Sequence, residues 1–281
     1  MTATLSRLGI DHGVILVRDL DRAAAQFARL GFALTPRGHH TGLGSSNNCA
    51  MFGNRDYLEL LGLAPERGRR PFYEEFLSKR EGIVGLAFRT ADARSTRERL
   101  AASGFAPPPP LAFGRPVQID GTTRDARFVT TEADTKATNG ARLFFCQHET
   151  PELVWLPSAL GHPNGVTGIL ALMVFDEDGK LANTCARLLD IPLDREGGMQ
   201  ILRAGDHRLE FLTPALAAER YPGEPLLKAA RPALAGLRLK TRDLGALERL
   251  LRSGGIAPRR TADCVTVSSA DALGAILEFA A

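Results

Sequence analysis

The sequence lacks the short motifs that identify many enzyme classes at once. It contains no GxSxG elbow, no phosphate-binding glycine loop and no dinucleotide-binding fingerprint, which argues against a hydrolase, a kinase and a dehydrogenase. Cysteine is scarce, and its four copies, Cys49, Cys146, Cys185 and Cys264, are far apart with no CxxC pair. This spacing favours small buried thiols over disulfides or a zinc cluster.

Long apolar runs and a surplus of charge of one sign are also missing. No apolar segment approaches the roughly 18 residues of a membrane helix, and the first residues, MTATLSRLG, lack the apolar core of a signal peptide. The formal net charge is only +3, because 35 basic residues face 32 acidic ones, and no basic stripe is present. We therefore predict a cytoplasmic protein that binds neither membranes nor nucleic acids.

What the sequence does contain is one pattern that occurs four times. Each copy begins with an apolar strand, and the strands place His12, Gly85, Gly168 and Gly236 in register. In three copies an aspartate follows seven residues later, and a glycine with an apolar neighbour begins twelve residues after the aspartate. These pairs are Asp19 with Gly31, Asp92 with Gly104, and Asp243 with Gly255. Such constant spacing predicts one supersecondary unit used four times.

Each copy is predicted to be a βαβββ module. In the first copy, IDHGVILVRD has the apolar, β-branched composition of a buried strand. Asp19 then stands where a helix N-cap belongs, and the alanine-rich segment that follows ends at Gly31, which can adopt the left-handed conformation of a helix terminus. Three short apolar runs, FALTPR, NCAMFG and YLELLGL, complete the module as strands.

The four copies divide naturally between two halves of the chain. A length of 281 residues with 44% apolar content fits two domains with sizeable cores. The passage PELVWLPSALGHPNG, which is interrupted by prolines and glycines, separates the second copy from the third. We therefore predict one domain at residues 1–160 and a second at residues 161–281.

A glutamate follows a leucine in the last strand of three copies. These residues are Glu59, Glu210 and Glu278, whereas the second copy has Phe145 at the aligned position. A carboxylate between apolar neighbours in a strand either faces water or turns inward to bind something. Only Glu59 shares its copy with a histidine in the first strand, His12. We expect a functional role for Glu59 and structural roles for the other two glutamates.

A histidine early in the first strand and a glutamate in the fourth, within paired βαβββ modules, resemble the vicinal oxygen chelate superfamily of glyoxalases, extradiol dioxygenases and bleomycin-binding proteins. Residues 8–165 are most similar to glyoxalase-like domain proteins, through DHGVILVRDLDRAAAQF, YLELLGL and FFCQHETPELVW followed by GHPNG. The resemblance implies an α+β fold in which each pair of modules forms an open cup of strands around a divalent cation. We expect four modules in two domains, the second of them degenerate.

The resemblance implies His12 and Glu59 as metal ligands from the first module, with Glu59 also in a catalytic role. Imidazole and carboxylate together suit Zn, Fe, Mn, Co or Ni. A cation with open coordination positions can hold and polarise two adjacent oxygens of a small-molecule substrate. The sequence thus predicts a Lewis-acid site in the first half of the chain.

Further ligands normally come from the second module of such proteins, and here the sequence departs from the pattern. The corresponding positions hold Gly85 and Phe145, neither of which offers a donor atom. Gln147 shares a face with Phe145 by strand alternation, whereas His148 would need a bulge to turn inward. We expect His148 to complete the metal site and Gln147 to contact the substrate, although either could supply the third donor.

Several other polar residues are predicted from their positions. His40, in a loop rich in glycine and serine, is expected to contact the substrate. One of Asn47 and Asn48 must point into the cup, and we assign Asn48 to the substrate. The residues expected to be structural are His162 in a turn, His207 on the surface and Trp155 between the halves.

Three functions fit these features. The first is a metal-dependent lyase, isomerase or dioxygenase that acts on a small molecule with adjacent oxygens. The second is a metal-free protein that binds or sequesters a small molecule, as bleomycin-resistance proteins do. In the third, which is compatible with both, the second half is a structural partner that closes the first cup. We also expect that the chain can form a homodimer.

Overall fold

The computed structural model describes residues 8–119, 121–230 and 233–281 of the chain. The first half forms one eight-stranded sheet with three helices against it. Its elements, in chain order, are β1 (Ile10–Val17), α1 (Leu20–Arg29), β2 (Gly38–His40), β3 (Ser45–Met51), β4 (Tyr57–Leu63), α2 (Pro71–Lys79), β5 (Gly82–Arg89), α3 (Ala93–Ala102), β6 (Leu111–Ile119), β7 (Thr122–Glu132) and β8 (Arg142–His148).

The second half forms another eight-stranded sheet. Its elements are β9 (Val166–Phe175), α4 (Lys180–Leu189), β10 (Asp194–Glu196), β11 (Met199–Ala204), β12 (His207–Leu212), α5 (Pro214–Arg220), β13 (Ala233–Thr241), α6 (Leu244–Ser253), β14 (Arg259–Arg260), β15 (Cys264–Val267) and β16 (Ile276–Ala280). Across the described parts of both halves, every helix is too short or too polar to span a bilayer.

Each sheet consists of two βαβββ modules that meet through their first strands. In the first sheet β1 pairs antiparallel with β5, while β1 and β5 pair in parallel with β4 and β8, the last strands of their own modules. The second sheet repeats this arrangement with β9 and β13 at its centre and β12 and β16 beside them. The strand order confirms the predicted α+β fold of four paired modules.

Aspartate caps begin three of the helices at the positions that the repeat predicted. The carboxylate of Asp19 accepts hydrogen bonds from two backbone N–H groups in the first turn of α1, both at 2.9 Å. Asp92 and Asp243 cap α3 and α6 in the same way. The third copy departs from this pattern, because α4 begins after Gly179, which is left-handed and offers no side chain as a cap.

A β-bulge interrupts the first strand of every module. Shifts in the pairing register leave Asp11, Val84, Leu170 and Ala235 without a partner in the ladder, and a further shift near the start of β9 also skips Thr167. A bulge turns the side chains of neighbouring residues away from strict alternation. Only the first module has a charged residue at this position, which brings Asp11 beside His12.

The bulges also establish which residues of the four modules are equivalent. The residue after each of the four equivalent bulges is His12, Gly85, Ala171 or Gly236. Pairing with the last strand agrees, because His12 lies two residues before the partner of Glu59 and Ala171 two residues before the partner of Glu210. Ala171 rather than Gly168 therefore corresponds to His12, and this part of the predicted register is wrong. The reason is that β9 runs for more residues before its bulge than the other first strands do.

One apolar core lies between the two halves of the molecule. It includes Phe27 of α1, Phe52, Leu172 of β9, Leu247 of α6 and Phe279 of β16. Two separate apolar clusters cover the opposite faces of the sheets, one in each half. We name these opposite faces the first cup and the second cup. Each sheet therefore has one face in the shared core and the other in its own cup.

The hairpin between β11 and β12 links the halves through His207. This residue is 3% exposed; its Nε2 lies 3.0 Å from a carboxylate oxygen of Asp56, and its Nδ1 accepts a hydrogen bond from the N–H of Ile10 at 3.2 Å. Asp56 also accepts from the N–H of Ile169. The predicted surface position of His207 is wrong, because its hairpin packs against the first half instead of solvent.

Candidate functional site

The first cup encloses a cavity lined by five buried imidazole, amide, carboxylate and guanidinium side chains, each from a different strand. These residues are His12 of β1, His40 of β2, Asn47 of β3, Glu59 of β4 and Arg115 of β6. All are buried, with 3% to 9% of their surface exposed. Aromatic and aliphatic side chains form most of the remaining wall. Converging polar groups in a buried apolar pocket are typical of a small-molecule site.

His12 is oriented by the bulged residue beside it. Its Nδ1 lies 2.6 Å from a carboxylate oxygen of Asp11, and its ring stacks on Tyr57 with the centroids 4.3 Å apart. A carboxylate at Nδ1 holds the proton there and leaves the lone pair on Nε2. That Nε2 faces Glu59, whose nearer carboxylate oxygen is 3.9 Å away.

Glu59 lies among groups that favour its charged form. Burial raises the pKa of its carboxyl, but His40, His12 and a hydrogen bond from Asn47 outweigh burial and hold that pKa below its ordinary value. The Asn47 amide donates to Oε1 at 2.6 Å, and the Nε2 of His40 lies 3.5 Å from the same oxygen. Burial lowers the pKa of His40 despite Glu59. The cup therefore contains an ionised carboxylate between two imidazoles.

His148 points into the first cup without any bulge in β8. Its Nε2 lies 3.0 Å from both carboxylate oxygens of Asp11, one of which also contacts the Nδ1 of His12. Its ring packs on Trp155 with the centroids 4.6 Å apart. Although burial raises the pKa of Asp11, the two histidines hold it below its ordinary value. Asp11 is thus an ionised link between His12 and His148 that sequence reasoning missed; its one signal was a charge inside an apolar strand.

The inward position of His148 corrects the predicted alignment of β8. Glu59 pairs with Val14, and the equivalent residue of β5 is Ala87, whose partner is Phe144 rather than Phe145. Phe144 faces the first cup, whereas Phe145 belongs to the shared core. A one-residue error in register reverses the face of every side chain in a strand.

The same alternation removes Gln147 from the site. Its side chain lies on the face opposite the cup, where its amide oxygen accepts a hydrogen bond from the N–H of Ala93 at 2.9 Å, at the start of α3. The assignment of Gln147 to the substrate or the metal is therefore wrong. Gly85 offers no alternative, because a Cβ there would lie 2.9 Å from the carbonyl oxygen of Arg142 on β8.

Two other predicted positions also change. Asn48 faces away from the cavity and donates to the carbonyl of Thr35 at 2.9 Å. Asn47, not the predicted Asn48, points into the cup. Trp155 packs on His148 and Tyr57 inside the first cup instead of between the halves. His40 lies in the cavity, although it belongs to a short strand rather than to a loop.

The donor atoms of His12 and Glu59 fit a divalent cation. An ion about 2.0–2.2 Å from each of two donors requires those donors to be no more than about 4.4 Å apart, and 3.9 Å meets that condition. Asp11 behind His12 is the kind of partner that metal-binding histidines usually have. His40, on the other oxygen of Glu59, offers a third nitrogen nearby, while His148 is held by Asp11.

Another trio of donors lies closer together but is less suited to a metal. Donor atoms of Asp11, Cys146 and His148 are all within 4.8 Å of one another. Burial raises the pKa of the Cys146 thiol well above its ordinary value, so a metal would have to displace this proton in order to bind the sulfur, which lowers its affinity. The pair His12 and Glu59 has no such proton to displace, because Glu59 is already ionised.

The second cup has a different chemistry at the equivalent positions. Glu210 and Glu278 occupy the places of Glu59 and Phe144, and both bind the guanidinium of Arg238, at 2.8 Å and 2.6 Å. Arg220 of α5 adds a further ion pair with Glu278 at 2.7 Å. Arginine side chains thus supply the positive charge in this cup.

Two sheets of paired βαβββ modules around separate cups define the vicinal oxygen chelate fold, and the comparisons agree. A family model of the glyoxalase-like domain matches residues 10–189, more than half of the chain. The chain belongs to the glyoxalase-like domain family, and the predicted superfamily is confirmed. A search of curated protein sequences found no match.

Solved structures of similar fold extend over both halves. A hypothetical protein from Staphylococcus aureus has a TM-score of 0.69 and 14% identity, covering 97% of this chain and 98% of that one. A mutant 4-hydroxymandelate synthase from Streptomyces coelicolor has a TM-score of 0.61 and 18% identity, covering 96% and 91%. A fusion protein of a xylose isomerase-like TIM barrel with 4-hydroxyphenylpyruvate dioxygenase has a TM-score of 0.63 and 14% identity, and the alignment covers 99% of this chain and 49% of that protein. At these identities the similarity shows the fold alone.

Proposed function

We propose that the chain is an enzyme whose active site is the first cup, where His12 and Glu59 hold a divalent cation that binds adjacent oxygens of a small molecule. The observation that carries this proposal is the orientation of His12. Asp11 holds its Nδ1, so that its Nε2 lies 3.9 Å from the ionised carboxylate of Glu59 within a buried cavity. The reaction class is that of a lyase, an isomerase or a dioxygenase.

A cation bound there would supply Lewis-acid chemistry, polarising the oxygens of the substrate. The chain itself contributes positioning and proton transfer. Asn47 holds one oxygen of Glu59, so that the other is fixed toward His12. As an ionised carboxylate in an apolar cavity, Glu59 can accept a proton from a substrate that lies against it, and we assign it the catalytic role. His40 can donate to or accept from the same substrate.

We further propose that residues 1–160 form the functional domain and residues 161–281 a structural partner. Support comes from the shared apolar core and from His207, which reaches across to Asp56, the residue before β4. In the second cup the places of His12 and Gly85 are taken by Ala171 and Gly236, which have no donor atoms. A cytoplasmic location and a homodimer remain predictions.

Metal titration tests the proposal directly. Protein stripped with a chelator is titrated by calorimetry with Zn²⁺, Mn²⁺, Ni²⁺ and Fe²⁺, in the native form and as His12→Ala and Glu59→Gln. We expect at least one ion to bind the native protein and to bind each variant at least about 10-fold more weakly. His39→Ala is the matched control, because His39 bonds to Ser46 and does not line the cavity. Equal affinity of all four proteins for every ion would refute the metal site.

A metal-free binding protein is the second candidate. The observation that favours it is that Glu59 already has partners in His40 and Asn47, and that Arg115 adds positive charge to the same region. If none of the four ions binds the native protein, the cup is a binding pocket without a catalytic metal and this alternative takes the place of the first.

A further inference from the structure

Arg115 is a buried cation that is linked to the ionised Glu59 through Asn47 and forms no direct ion pair with any described residue. It is 7% exposed on β6 and lines the first cup. Its one hydrogen bond to a side-chain oxygen is a long one, 3.4 Å from Nη1 to the amide oxygen of Asn47. No carboxylate within the described ranges lies within 4.0 Å of its guanidinium. Burying an arginine without an anionic partner is costly, so such a group commonly marks the place of a ligand.

A second arginine of the same cavity is in a similar position. The guanidinium of Arg70 lies over the ring of Tyr73, 4.8 Å from its centroid, and donates to the carbonyl of Leu43 at 3.4 Å. It too has no carboxylate within 4.0 Å in the part of the chain that the structure describes. Arg142 of the same wall differs, because Glu132 neutralises it at 2.8 Å. The described part of the cavity therefore contains two arginines that form no direct ion pair and a third that is already paired.

The chain is built to hold Arg115 where it is. A Cβ on Gly38 would lie 2.3 Å from the Cδ of Arg115, so that only glycine leaves room for this side chain. Asn47 connects the arginine to the rest of the site, since its amide oxygen faces Arg115 while its amide nitrogen donates to Glu59. An anion bound by Arg115 would thus lie next to the residues that face His12.

The remaining wall of the cavity is largely aromatic. Tyr57, Phe113, Phe128 and Phe144 line it, and Phe113 and Phe128 stack with their centroids 5.3 Å apart. Flat apolar surfaces of this kind favour a ligand with an aromatic ring. The cavity combines this wall with a guanidinium fork, whose geometry matches a carboxylate.

We propose that Arg115, with Arg70 near it, binds the carboxylate of an aromatic organic acid, and that this acid is the class of substrate of the first cup. The proposal rests on the proposed function in taking the first cup as the substrate site. It adds the charge and shape of the molecule that enters and a role for two arginines that neither the metal nor the proton transfer requires.

Binding of simple probes tests the charge directly. Phenylacetate and 3-phenylpropionate are compared with their neutral amides by calorimetry, using the protein as purified and after chelator treatment. We expect at least one acid to bind and its amide to bind at least about 10-fold more weakly, because the amide cannot form a charged pair with the guanidinium. The inference is overturned if neither acid binds, or if each acid binds no more tightly than its amide.

Substitutions locate the interaction. Arg115→Gln should weaken binding of the acid at least about 10-fold without affecting the amide, and Arg70→Gln should do so at least about threefold, since Arg70 is less buried. Arg37→Gln is the matched control. It removes the same charge from the residue next to Gly38, and the native Arg37 side chain bonds to Asp21 outside the cup. If Arg115→Gln does not fold, Arg115→Lys and Arg70→Gln decide the matter; acid binding unchanged in the folded arginine variants contradicts the proposal.

The two proposals can fail separately. Acid binding that depends on Arg115 in protein that binds none of the four metal ions would support the carboxylate site and refute the metal site. Metal binding that depends on His12 in protein that does not distinguish acid from amide would do the opposite. Each arm therefore reports on its own group of residues.

Discussion

His12 and Glu59 face each other in the first cup, whereas the same two places in the second cup hold Ala171 and Glu210. The glutamate is kept and its neighbours differ. Glu59 lies between imidazoles and an amide, while Glu210 accepts hydrogen bonds from both terminal nitrogens of Arg238, at 2.8 Å and 3.0 Å. A carboxylate at this strand position therefore does not define a metal site by itself.

The charges of the two cups are satisfied in different ways. In the second cup Arg238 and Arg220 join Glu210 and Glu278 into a network of ion pairs within the protein. In the first cup Arg115 has no such carboxylate among the described residues. The carboxylates of the second cup are thus paired within the protein, whereas the first cup has groups suited to a cation and to an anion.

The largest expected effect is on the second cup. Arg238→Met leaves Glu210 and Glu278 buried without their main cation, so we expect the free energy of unfolding to fall by about 3–5 kcal/mol. Arg203→Met is the control, because Arg203 forms exposed ion pairs in the same half, and pairs of that kind contribute about 0–1 kcal/mol. Urea unfolding measures the free energy of both variants. A loss for Arg238→Met as small as that for Arg203→Met would mean that the network does not stabilise the fold.

A smaller effect is expected from Asp11, the charged bulge residue of the first cup. Asp11→Asn keeps the shape but weakens the hold on His12, so metal affinity should fall about 10- to 100-fold. Calorimetric titration of chelator-stripped protein gives this ratio. Val84→Ala, at the equivalent bulge of the second module, is the control and should leave affinity within about twofold of native. An Asp11→Asn protein with native affinity would show that His12 needs no support.

The contributions of the equivalent residues Glu59 and Glu210 to the free energy of unfolding should change with pH in opposite directions. The surroundings of Glu59 lower its pKa, so its ionised form stabilises the fold above its ordinary pKa, and this contribution is lost as the pH falls. Burial raises the pKa of Glu210 despite Arg220 and Arg208, so its contribution is larger at low pH and falls as the pH rises through its ordinary pKa. The cost of Glu59→Gln should therefore increase, and that of Glu210→Gln decrease, between about pH 3.5 and pH 6.5.

Urea unfolding of the native protein and both variants at the two pH values provides the four free-energy differences. Metal-free protein is needed, because a bound cation would add its own pH dependence. If the costs of Glu59→Gln and Glu210→Gln both rise or both fall between the two pH values, this difference between the cups is contradicted.

The smallest effect concerns thiol reactivity. Burial raises the pKa of Cys49, in the first cup, to about 12, and the thiolate is the form that reacts. Cys264, beside the second cup, is only partly buried. Iodoacetamide at about pH 8 should therefore label Cys264 well before Cys49 in the folded protein, as read by mass spectrometry of peptides. Equal labelling rates would show that the first cup opens readily.

The sequence was sufficient to predict the modules, the aspartate caps and the inward direction of His12 and Glu59, because these depend on spacing within one strand or helix. Face assignments in β3 and β8 were less secure. Choosing Asn48 over Asn47, and Phe145 over Phe144, is an error of a single residue, and a single residue reverses the face of a strand.

Contacts between distant parts of the chain could not be inferred from the repeat. Asp11 reaches His148 only because a bulge turns it inward, and His207 is buried only because its hairpin packs on the first half. Arg115 lies on β6, whose residues do not alternate regularly between buried and exposed positions, so its inward direction could not be predicted. Bulges and packing between the halves depend on tertiary contacts, so they could not be predicted from this sequence alone.

The most direct test of the account is the location of a metal in crystals of this protein soaked with Zn²⁺ and measured at the zinc absorption edge. The proposed metal site predicts an anomalous peak in the first cup, about 2.0–2.2 Å from the Nε2 of His12 and from a carboxylate oxygen of Glu59. It predicts no peak between Ala171 and Glu210 in the second cup. A first cup without a peak, or peaks of equal height in both cups, would contradict it.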